Sequence, residues 1–232
     1  MTTEQPRAGS FYGRRKGHRL REQQSRLMEE TLPRLRIGAD AVSDAGALFA
    51  RPVAQVWLEI GFGGGEHLLH QMQLNPDVGF IGCEPFINGM AKLLAGEPDL
   101  QRLALHDADA TELLPRLPAA SIDRAFILYP DPWPKRRQRK RRIVSPETVS
   151  NLARALKPGA IFRFATDIDD YAAWTLARVM ASGQFDWTAE RADDWRLPWV
   201  DWPGTRYEQK AFREGRTPSY LTFVRRGANS PA

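Results

Sequence analysis

A cluster of glycines at residues 61–65, GFGGG, constrains the fold of this chain more than any other feature. It follows an apolar run, VAQVWLEI, that is rich in β-branched and aromatic residues, and it precedes HLLHQMQLN, which has the spacing of a helix. Strand, glycine turn and helix in this order are typical of α/β folds that handle nucleotides. A tight turn that serves only packing is the alternative interpretation of these glycines.

The alternation of strand and helix continues along most of the chain. Four more strand-like runs begin at residues 78, 100, 122 and 157, and each is followed by a helical pattern; Ser145 and Pro146 predict the start of the third of these helices. Two later strand-like runs, at 185–192 and 219–226, have no convincing helix between them, and one of them is expected to be antiparallel. The chain therefore predicts an α/β, Rossmann-like doubly wound fold with a mostly parallel seven-stranded sheet and an antiparallel late strand.

The chain is long enough for one α/β domain and a short additional segment. We predict a basic N-terminal arm at residues 1–50 and a single domain at residues 51–232. Residues 11–36 are basic and mostly polar and are interrupted by Gly13, Gly17 and Pro33. This part of the arm is expected to be loose or only partly helical in isolation and to order on a partner.

Several absences predict a soluble, cytoplasmic protein. The first residues lack the apolar stretch and cleavage site of a secretory signal, and no apolar run approaches the roughly 20 residues that span a bilayer. Cys83 is the single cysteine, which excludes an internal disulfide and fits a reducing compartment. The sequence shows no surface for oligomerisation, and a monomer is favoured.

Positive charge is concentrated in two segments, residues 14–21 and 135–142, in a chain of formal net charge +5. One such segment is usually a solvated surface. Two of them, the second beside an acid and an aromatic residue, favour a nucleic acid partner.

Acidic residues near the glycine turn indicate a ligand without phosphate groups. Dinucleotide-binding folds have a third glycine where this chain has Glu66, and an acid at a helix N-terminus opposes a pyrophosphate. Glu84 ends the second strand, where an acid accepts hydrogen bonds from ribose hydroxyls. Glu59 lies just inside the first strand, and Asp109 ends the third, where it is placed to read an adenine edge.

S-adenosylmethionine fits this set of acids because it carries an ammonium group, a sulfonium and a ribose but no phosphate. Gly61 and Gly63 would let the backbone approach it closely. Taken singly, each acid has the alternative interpretation of a helix cap or a solvated strand end.

A rigid acidic motif, YPDPWPK at residues 129–135, follows the fourth strand. Prolines at alternate positions fix φ and remove backbone donors, which should hold Asp131 and Trp133 in set directions. Trp133 either stacks on a base or fills the edge of the sheet. Lys135 and the cations after it are placed to hold phosphates, with Asp131 directed at a base.

These motifs together make the sequence recognisable. LEIGFGGGE, GCEP, DADATELL, YPDPWPKRRQRKRRIV, RFATDIDDYAAW and TRYEQKAFREG, in this order and spacing, closely resemble the bacterial tRNA (guanine-N7)-methyltransferase family. The resemblance covers roughly residues 53–225, and the arm segment FYGRRKGHRLR is also similar to the family. It implies a class I enzyme that transfers methyl from S-adenosylmethionine to guanine N7 in the tRNA variable loop, at conventional tRNA position 46.

The resemblance also implies site residues. The S-adenosylmethionine site would be lined by Glu59, Glu84, Asp109 and Asp131, with Asp107 as a competitor for Asp109, and Asp131 would be catalytic. Contacts to the guanine-bearing substrate would come from Lys135, Asp167, Thr205, Arg206, Tyr207 and Glu208. The expected product is S-adenosylhomocysteine, the expected partner is tRNA, and no metal is expected, since His67 and His70 lack the acids or cysteines that would complete a metal site.

Two other functions remain open at this point. One is an S-adenosylmethionine-dependent enzyme that methylates an amino group of a base or a protein, because an acid and an aromatic after the fourth strand also occur there. The other is a non-catalytic RNA-binding protein of the same fold. The intact acids and glycines argue against the second.

Overall fold

One seven-stranded sheet runs through the part of the chain that the structure describes. The structure is a computed structural model that describes residues 13–227; Phe11 and Tyr12 of the predicted arm, like the rest of residues 1–12 and residues 228–232, lie outside the described residues. The strands are β1 (Gln55–Ile60), β2 (Val78–Cys83), β3 (Leu103–His106), β4 (Ile122–Leu128), β5 (Leu156–Thr166), β6 (Phe185–Trp187) and β7 (Ser219–Arg225).

The strand order is β3-β2-β1-β4-β5-β7-β6. β7 is antiparallel to both of its neighbours, and the remaining neighbours pair in parallel. The predicted doubly wound, mostly parallel sheet with one antiparallel late strand is thereby confirmed. The carboxyl ends of β1, β2 and β4 meet at one edge, where such folds bind ligands.

Helices connect the strands and cover both faces of the sheet. They are α1 (Glu22–Glu30), α2 (Leu32–Leu35), α3 (Glu66–Leu74), α4 (Ile87–Ala95), α5 (Ala110–Leu113), α6 (Pro146–Ala155), α7 (Asp169–Ala181), α8 (Asp193–Arg196) and α9 (Arg206–Arg213). One core lies on the side of α6 and α7 and includes Val149 and Tyr171, and the other lies on the side of α3 and α4 and includes Leu68 and Met90. β2 is buried along its whole length because helices cover both of its faces.

The predicted start of α6 is confirmed. Ser145 Oγ accepts a hydrogen bond from the amide of Thr148 at 3.1 Å. Pro146 occupies the first helical position, where a backbone N–H would have no partner within the helix, so its missing N–H costs no hydrogen bond.

The sequence pattern does not predict α8 and α9, which lie between β6 and β7, and β6 ends at Trp187, well before the end of its predicted run. The hydroxyl of Thr205 accepts a hydrogen bond from the amide of Glu208 at 3.2 Å and so starts α9. Threonine followed three residues later by glutamate is a known signal of a helix start, and it is the signal that would have predicted α9.

The described part of the N-terminal arm is packed on the β3 edge of the sheet. α1 lies against α4, Leu32 is buried, and the amide of Ile37 donates to the carbonyl of Leu105 at 2.9 Å. Ile37 and Phe49 belong to the core of the domain. The segment expected to be loose or only partly helical in isolation is helical over α1 and α2 in the folded chain, and the boundary at residue 50 stays a prediction. Within residues 13–227, no helix is both long and apolar enough to cross a membrane.

Candidate active site

A cavity of about 480 Å³ opens at the carboxyl ends of the central strands. Its walls are the glycine turn after β1, the end of β2, the start of α5, the turn after β4, the start of α6 and Tyr207 of α9. The volume is in the range of sites that bind nucleoside-sized ligands. The topology thus brings together segments that are more than 140 residues apart in sequence.

The glycine turn has a backbone that side chains rarely allow. Gly61 and Gly63 have φ of +74° and +57°, values that cost little only in glycine. The amide of Gly61 donates to the carbonyl of Cys83 at 2.8 Å, which ties the turn to β2. A Cβ on Gly89 of α4 would lie 2.2 Å from the carbonyl oxygen of Gly63, so helix and turn approach to backbone contact.

Glu84 links the turn to the end of β2. Its carboxylate accepts from the amide of Gly63 at 2.6 Å and from the amide of Phe86 at 2.9 Å, and it lines the cavity with only 7% of the residue exposed. Burial raises the pKa of Glu84 to about 7, and the two amide bonds partly oppose that rise. The predicted ribose acceptor therefore lies at the cavity wall with its ionisation close to neutral pH.

Asp131 lies in a strained turn after β4 and also lines the cavity. Tyr129 and Trp133, neither of them glycine, have φ of +48° and +41°, and the amide of Tyr129 donates to the carbonyl of Ala165 on β5 at 2.8 Å. Desolvation beside the cavity raises the pKa of Asp131 above its ordinary value. Trp133 also lines the cavity, and the guanidinium of Arg141 lies 4.9 Å from the centre of its ring.

The structure separates the two candidates for the adenine contact. Asp107 is held by Arg36 through hydrogen bonds of 3.0 and 2.7 Å and does not line the cavity. Asp109 lines the cavity and caps α5 by accepting from the amide of Thr111 at 2.9 Å. This geometry favours Asp109 over Asp107, and the contact itself stays a prediction.

Glu59, another predicted cofactor residue, lies beneath the site. It is 4% exposed within β1, it is not part of the cavity lining, and it accepts from Nδ1 of His67 at 2.8 Å. His67 thus has an intramolecular partner. Among the described residues, no group of three or more His, Cys, Asp and Glu side chains is arranged to hold a metal ion.

The residues predicted for the substrate divide between the cavity and the structure around it. Tyr207 lines the cavity, and Arg206 lies beside it with a 3.1 Å hydrogen bond to the Tyr207 hydroxyl. Thr205 caps α9, and Lys135 is exposed beyond the cavity lining. All four substrate contacts stay predictions.

Two predicted substrate acids are engaged inside the protein. Asp167 accepts from Nε of Arg216 at 2.6 Å. Glu208 is 7% exposed and accepts from Nε1 of Trp202 at 2.8 Å and from the hydroxyl of Tyr220. In this arrangement Glu208 fastens α9 and the preceding loop to β7, and a guanine contact by either acid stays a prediction.

Sequence reasoning missed part of the cavity lining. Gly13 and Arg14 of the arm reach the cavity, as do Ser145 and Thr148 at the start of α6. The arm is placed there by Asn88, which accepts from the amide of Gly17 at 2.7 Å and donates to the carbonyl of His18 at 2.7 Å. The basic composition of residues 14–21 was the available signal, but it does not locate the arm on the domain.

Comparisons with known proteins identify the family. The model of the family described as "Putative methyltransferase" matches residues 53–220. A tRNA (guanine-N(7)-)-methyltransferase of Agrobacterium fabrum is 54% identical over 94% of this chain and 95% of its own length, and one of Mesorhizobium japonicum is 55% identical over 94% and 95%. The solved structure of an antibiotic related methyltransferase has a TM-score of 0.52 and 19% sequence identity, and the match covers 75% of this chain and 89% of that one. The structure of 16S rRNA methyltransferase KamB has a TM-score of 0.51 and 18% identity, with the same two coverages. These two matches show a shared fold. Identity above one half across almost the whole chain means that this protein belongs to the tRNA (guanine-N(7)-)-methyltransferase family.

Proposed function

We propose that this protein transfers the methyl group of S-adenosylmethionine to N7 of guanine in the variable loop of tRNA, in the cytoplasm. The observation that carries the proposal is one cavity lined by the glycine turn, Glu84, Asp131 and Tyr207. Its volume of about 480 Å³ suits a nucleoside cofactor, and Asp131 and Tyr207 offer an acid and an aromatic ring to a flat acceptor. The names of the curated relatives supply the acceptor.

The lining fits S-adenosylmethionine better than a phosphate-bearing cofactor. The lining includes four carboxylates, those of Glu84, Asp109, Asp131 and Glu147, which can face the positive charge of the cofactor, and four basic residues that come from the two basic segments. Glu66, at the N-terminus of α3, pairs with Lys92 at 2.5 Å and occupies the position that a pyrophosphate would need. Glu84 would accept from the ribose hydroxyls, Asp109 would read the adenine edge, and the bound cofactor would supply a methyl group on a positively charged sulfur.

The chemistry requires orientation and charge stabilisation and no proton removal before attack. Guanine N7 already carries a lone pair, so a general base is not needed. Asp131 would accept from N1–H and N2–H of the guanine, hold N7 in line with the methyl group, and stabilise the positive charge that the base gains as the carbon–nitrogen bond forms and the carbon–sulfur bond breaks. Tyr207 lies where a base can stack on its ring.

Recognition of tRNA would rest on phosphate contacts from the basic segments. Residues 14–21 adjoin the cavity at one end, and residues 135–142 follow the turn that carries Asp131. In a regular RNA helix the deep major groove hides N7, so a guanine in a loop is the accessible target. Tight binding through phosphates predicts an affinity that falls steeply with salt.

Affinity for the cofactor product S-adenosylhomocysteine is expected to increase with pH. The carboxylate form of Glu84 binds ribose hydroxyls, and with a pKa of about 7 it is a minor form at pH 6 and the major form at pH 8. The dissociation constant should therefore be roughly tenfold larger at pH 6 than at pH 8, which means weaker binding at pH 6. The stability of the free protein should change in the opposite direction. Because the pKa of Glu84 is raised in the folded state, the folded protein binds this proton more tightly than the unfolded chain does, and the free energy of unfolding falls as pH rises from the ordinary pKa of glutamate to about 7.

Isothermal titration calorimetry at the two pH values measures this dependence. A Glu84→Gln variant should bind weakly and with little dependence on pH, and it reports any titration of the ligand itself. Asp77→Asn is the matched control, because it removes an exposed carboxylate outside the cavity lining and should keep the slope. A wild-type affinity that does not change with pH would contradict the assignment of Glu84.

Methyl transfer to unmodified tRNA tests the function directly. Labelled S-adenosylmethionine is offered with one transcript that has guanine at the variable-loop site and one that has adenine there. We expect label in the guanine transcript alone, recovered as 7-methylguanosine after nuclease digestion. Label on an exocyclic amine would show an amino-methylating enzyme, and label in neither transcript would leave an RNA-binding protein of the same fold.

A further inference from the structure

The second basic segment contains one arginine, Arg142, whose side chain is buried although the residue belongs to the cavity lining. The side chain of Arg142 is 0% exposed, whereas Arg136, Arg137 and Lys140 of the same segment are exposed. A cation bound to tRNA phosphate has to be reachable from the surface. Arg142 therefore differs in kind from its neighbours, although the sequence gives them the same character.

The guanidinium of Arg142 joins two elements of the site. Its Nε donates to the carbonyl of Pro132 at 2.8 Å, and its Nη2 donates to the carboxylate of Asp170, at the start of α7, at 2.5 Å. The rings of Tyr171 and Trp174 lie 4.6 and 5.0 Å from it. Arg142 thus holds the residue directly after Asp131 to the first turns of α7.

The turn needs such an external contact. Prolines at positions 130, 132 and 134 lack an N–H, so beyond the bond from the amide of Tyr129 to Ala165 the turn has few backbone donors to hold it, and Tyr129 and Trp133 have positive φ. Strained backbone of this kind persists only where the surroundings fix it. The hydrogen bond from Arg142 to Pro132 is a direct fixing contact on the residue next to the catalytic carboxylate.

We propose that Arg142 is a positioning residue, which clamps the Asp131 turn to α7 and so orients the carboxylate, and that it does not bind tRNA phosphate. The inference rests on the proposed function for the role of Asp131. It predicts that Arg142 acts on turnover and leaves the electrostatics of tRNA binding unchanged.

Lysine cannot replace arginine in this role. The planar guanidinium donates in fixed directions to Pro132 and Asp170 at once, whereas a lysine ammonium is a single point on a flexible stem. Arg142→Lys keeps the positive charge and should still lower kcat by about 10²-fold, the scale of the loss when a reacting group is misplaced by about 1 Å. The dissociation constant for tRNA and its salt slope should stay at their wild-type values.

Two further variants make the test decisive. Arg137→Ala, in the exposed part of the same segment, should do the opposite, with weaker tRNA binding, a salt slope reduced by about one unit and kcat at saturating tRNA close to wild type. Asp170→Asn removes the carboxylate partner of Arg142, and also that of Arg139, and substitutes no residue of the basic segment. It should lower kcat like Arg142→Lys, and the double variant should lose little more, because both changes release one clamp.

The experiment measures kcat, KM for tRNA and the dissociation constant for tRNA from 50 to 200 mM salt. Phosphate contacts dominate the change in affinity over this range of salt. Thermal melts verify that each variant folds. Normal kcat in Arg142→Lys, or a salt slope reduced by about one unit in the uncharged variant Arg142→Gln, would overturn the proposal and make Arg142 a phosphate ligand. If Arg142→Lys does not fold, normal kcat in Asp170→Asn overturns it instead. A wild-type protein that methylates no tRNA would refute the proposed function, and the salt slopes would still decide whether Arg142 binds phosphate.

Discussion

Replacing Asp131 with asparagine or alanine is expected to reduce methyl transfer to tRNA by roughly 10²- to 10³-fold, the loss usual when one preorganised electrostatic contact to a transition state is removed. The carboxylate would accept two hydrogen bonds from the guanine and face the positive charge that develops on it. Asparagine keeps the shape but removes the charge and replaces one acceptor with a donor. Alanine removes both the negative charge and the hydrogen-bond acceptors.

Single-turnover rates with saturating enzyme measure this effect without interference from product release. Binding of tRNA should change little, because its affinity comes from phosphate contacts of the basic segments. Asp77→Asn is a matched control, since Asp77 is exposed and is not part of the cavity lining. Near-normal turnover in Asp131→Asn would remove Asp131 from the mechanism and leave orientation to Tyr207 and the turn backbone.

A single methyl group on Gly89 is expected to disable the cofactor site. The added Cβ would lie 2.2 Å from the carbonyl oxygen of Gly63 and 3.3 Å from Cγ of Glu84. The first of these atoms belongs to the backbone and cannot rotate away, so either α4 or the glycine turn has to move. Overpacking of this kind costs about 1–3 kcal/mol, more than the roughly 0.5–1 kcal/mol that alanine gains over glycine within a helix.

The movement would break the hydrogen bond between the amide of Gly63 and Glu84, so we expect affinity for S-adenosylhomocysteine to fall at least about tenfold, the equivalent of one lost bond to a charged group. Calorimetric titration and a thermal melt measure the two effects. Gly38→Ala is the matched control, because nothing lies within 4 Å of the position that its Cβ would occupy, and it should keep wild-type affinity. Wild-type affinity in Gly89→Ala would show that the close approach is not needed for binding.

Much of the fold could be predicted because the signals are local. Alternating apolar runs and helical spacing specify β1 to β5 and their helices, and the Ser145–Pro146 pair marks the start of α6. The region between β6 and β7 is harder to predict because its two helices are short and the segment between them contains Pro198, Trp199, Trp202 and Pro203. There the tertiary contacts of Trp202 and Glu208 determine the structure, and no periodicity reports them.

The site divides in the same way. Gly63, Glu84 and Asp131 could be located because they follow strands of a parallel sheet, whose ends converge. Burial of Glu59 against His67, and burial of one arginine in a uniformly basic segment, depend on partners that only the folded chain brings close. Arg142 lies among the same basic residues as its exposed neighbours, so the local sequence does not distinguish it from them. Its partner Asp170 is 28 residues away.

The position of β7 has a consequence for how the protein is made. β7 lies between β5 and β6 in the sheet. Among the described strands, β6 therefore pairs only with β7, which the ribosome synthesises after it. Tyr220, on the same strand, donates to Glu208 and so fixes α9, which carries Tyr207. Tyr207 can therefore be fixed in place only after β7 has been synthesised, when the glycine turn and Glu84 have long been available to fold. A nascent chain would be able to assemble the glycine turn and Glu84 first and would become competent for its substrate only once β7 has been added to the sheet.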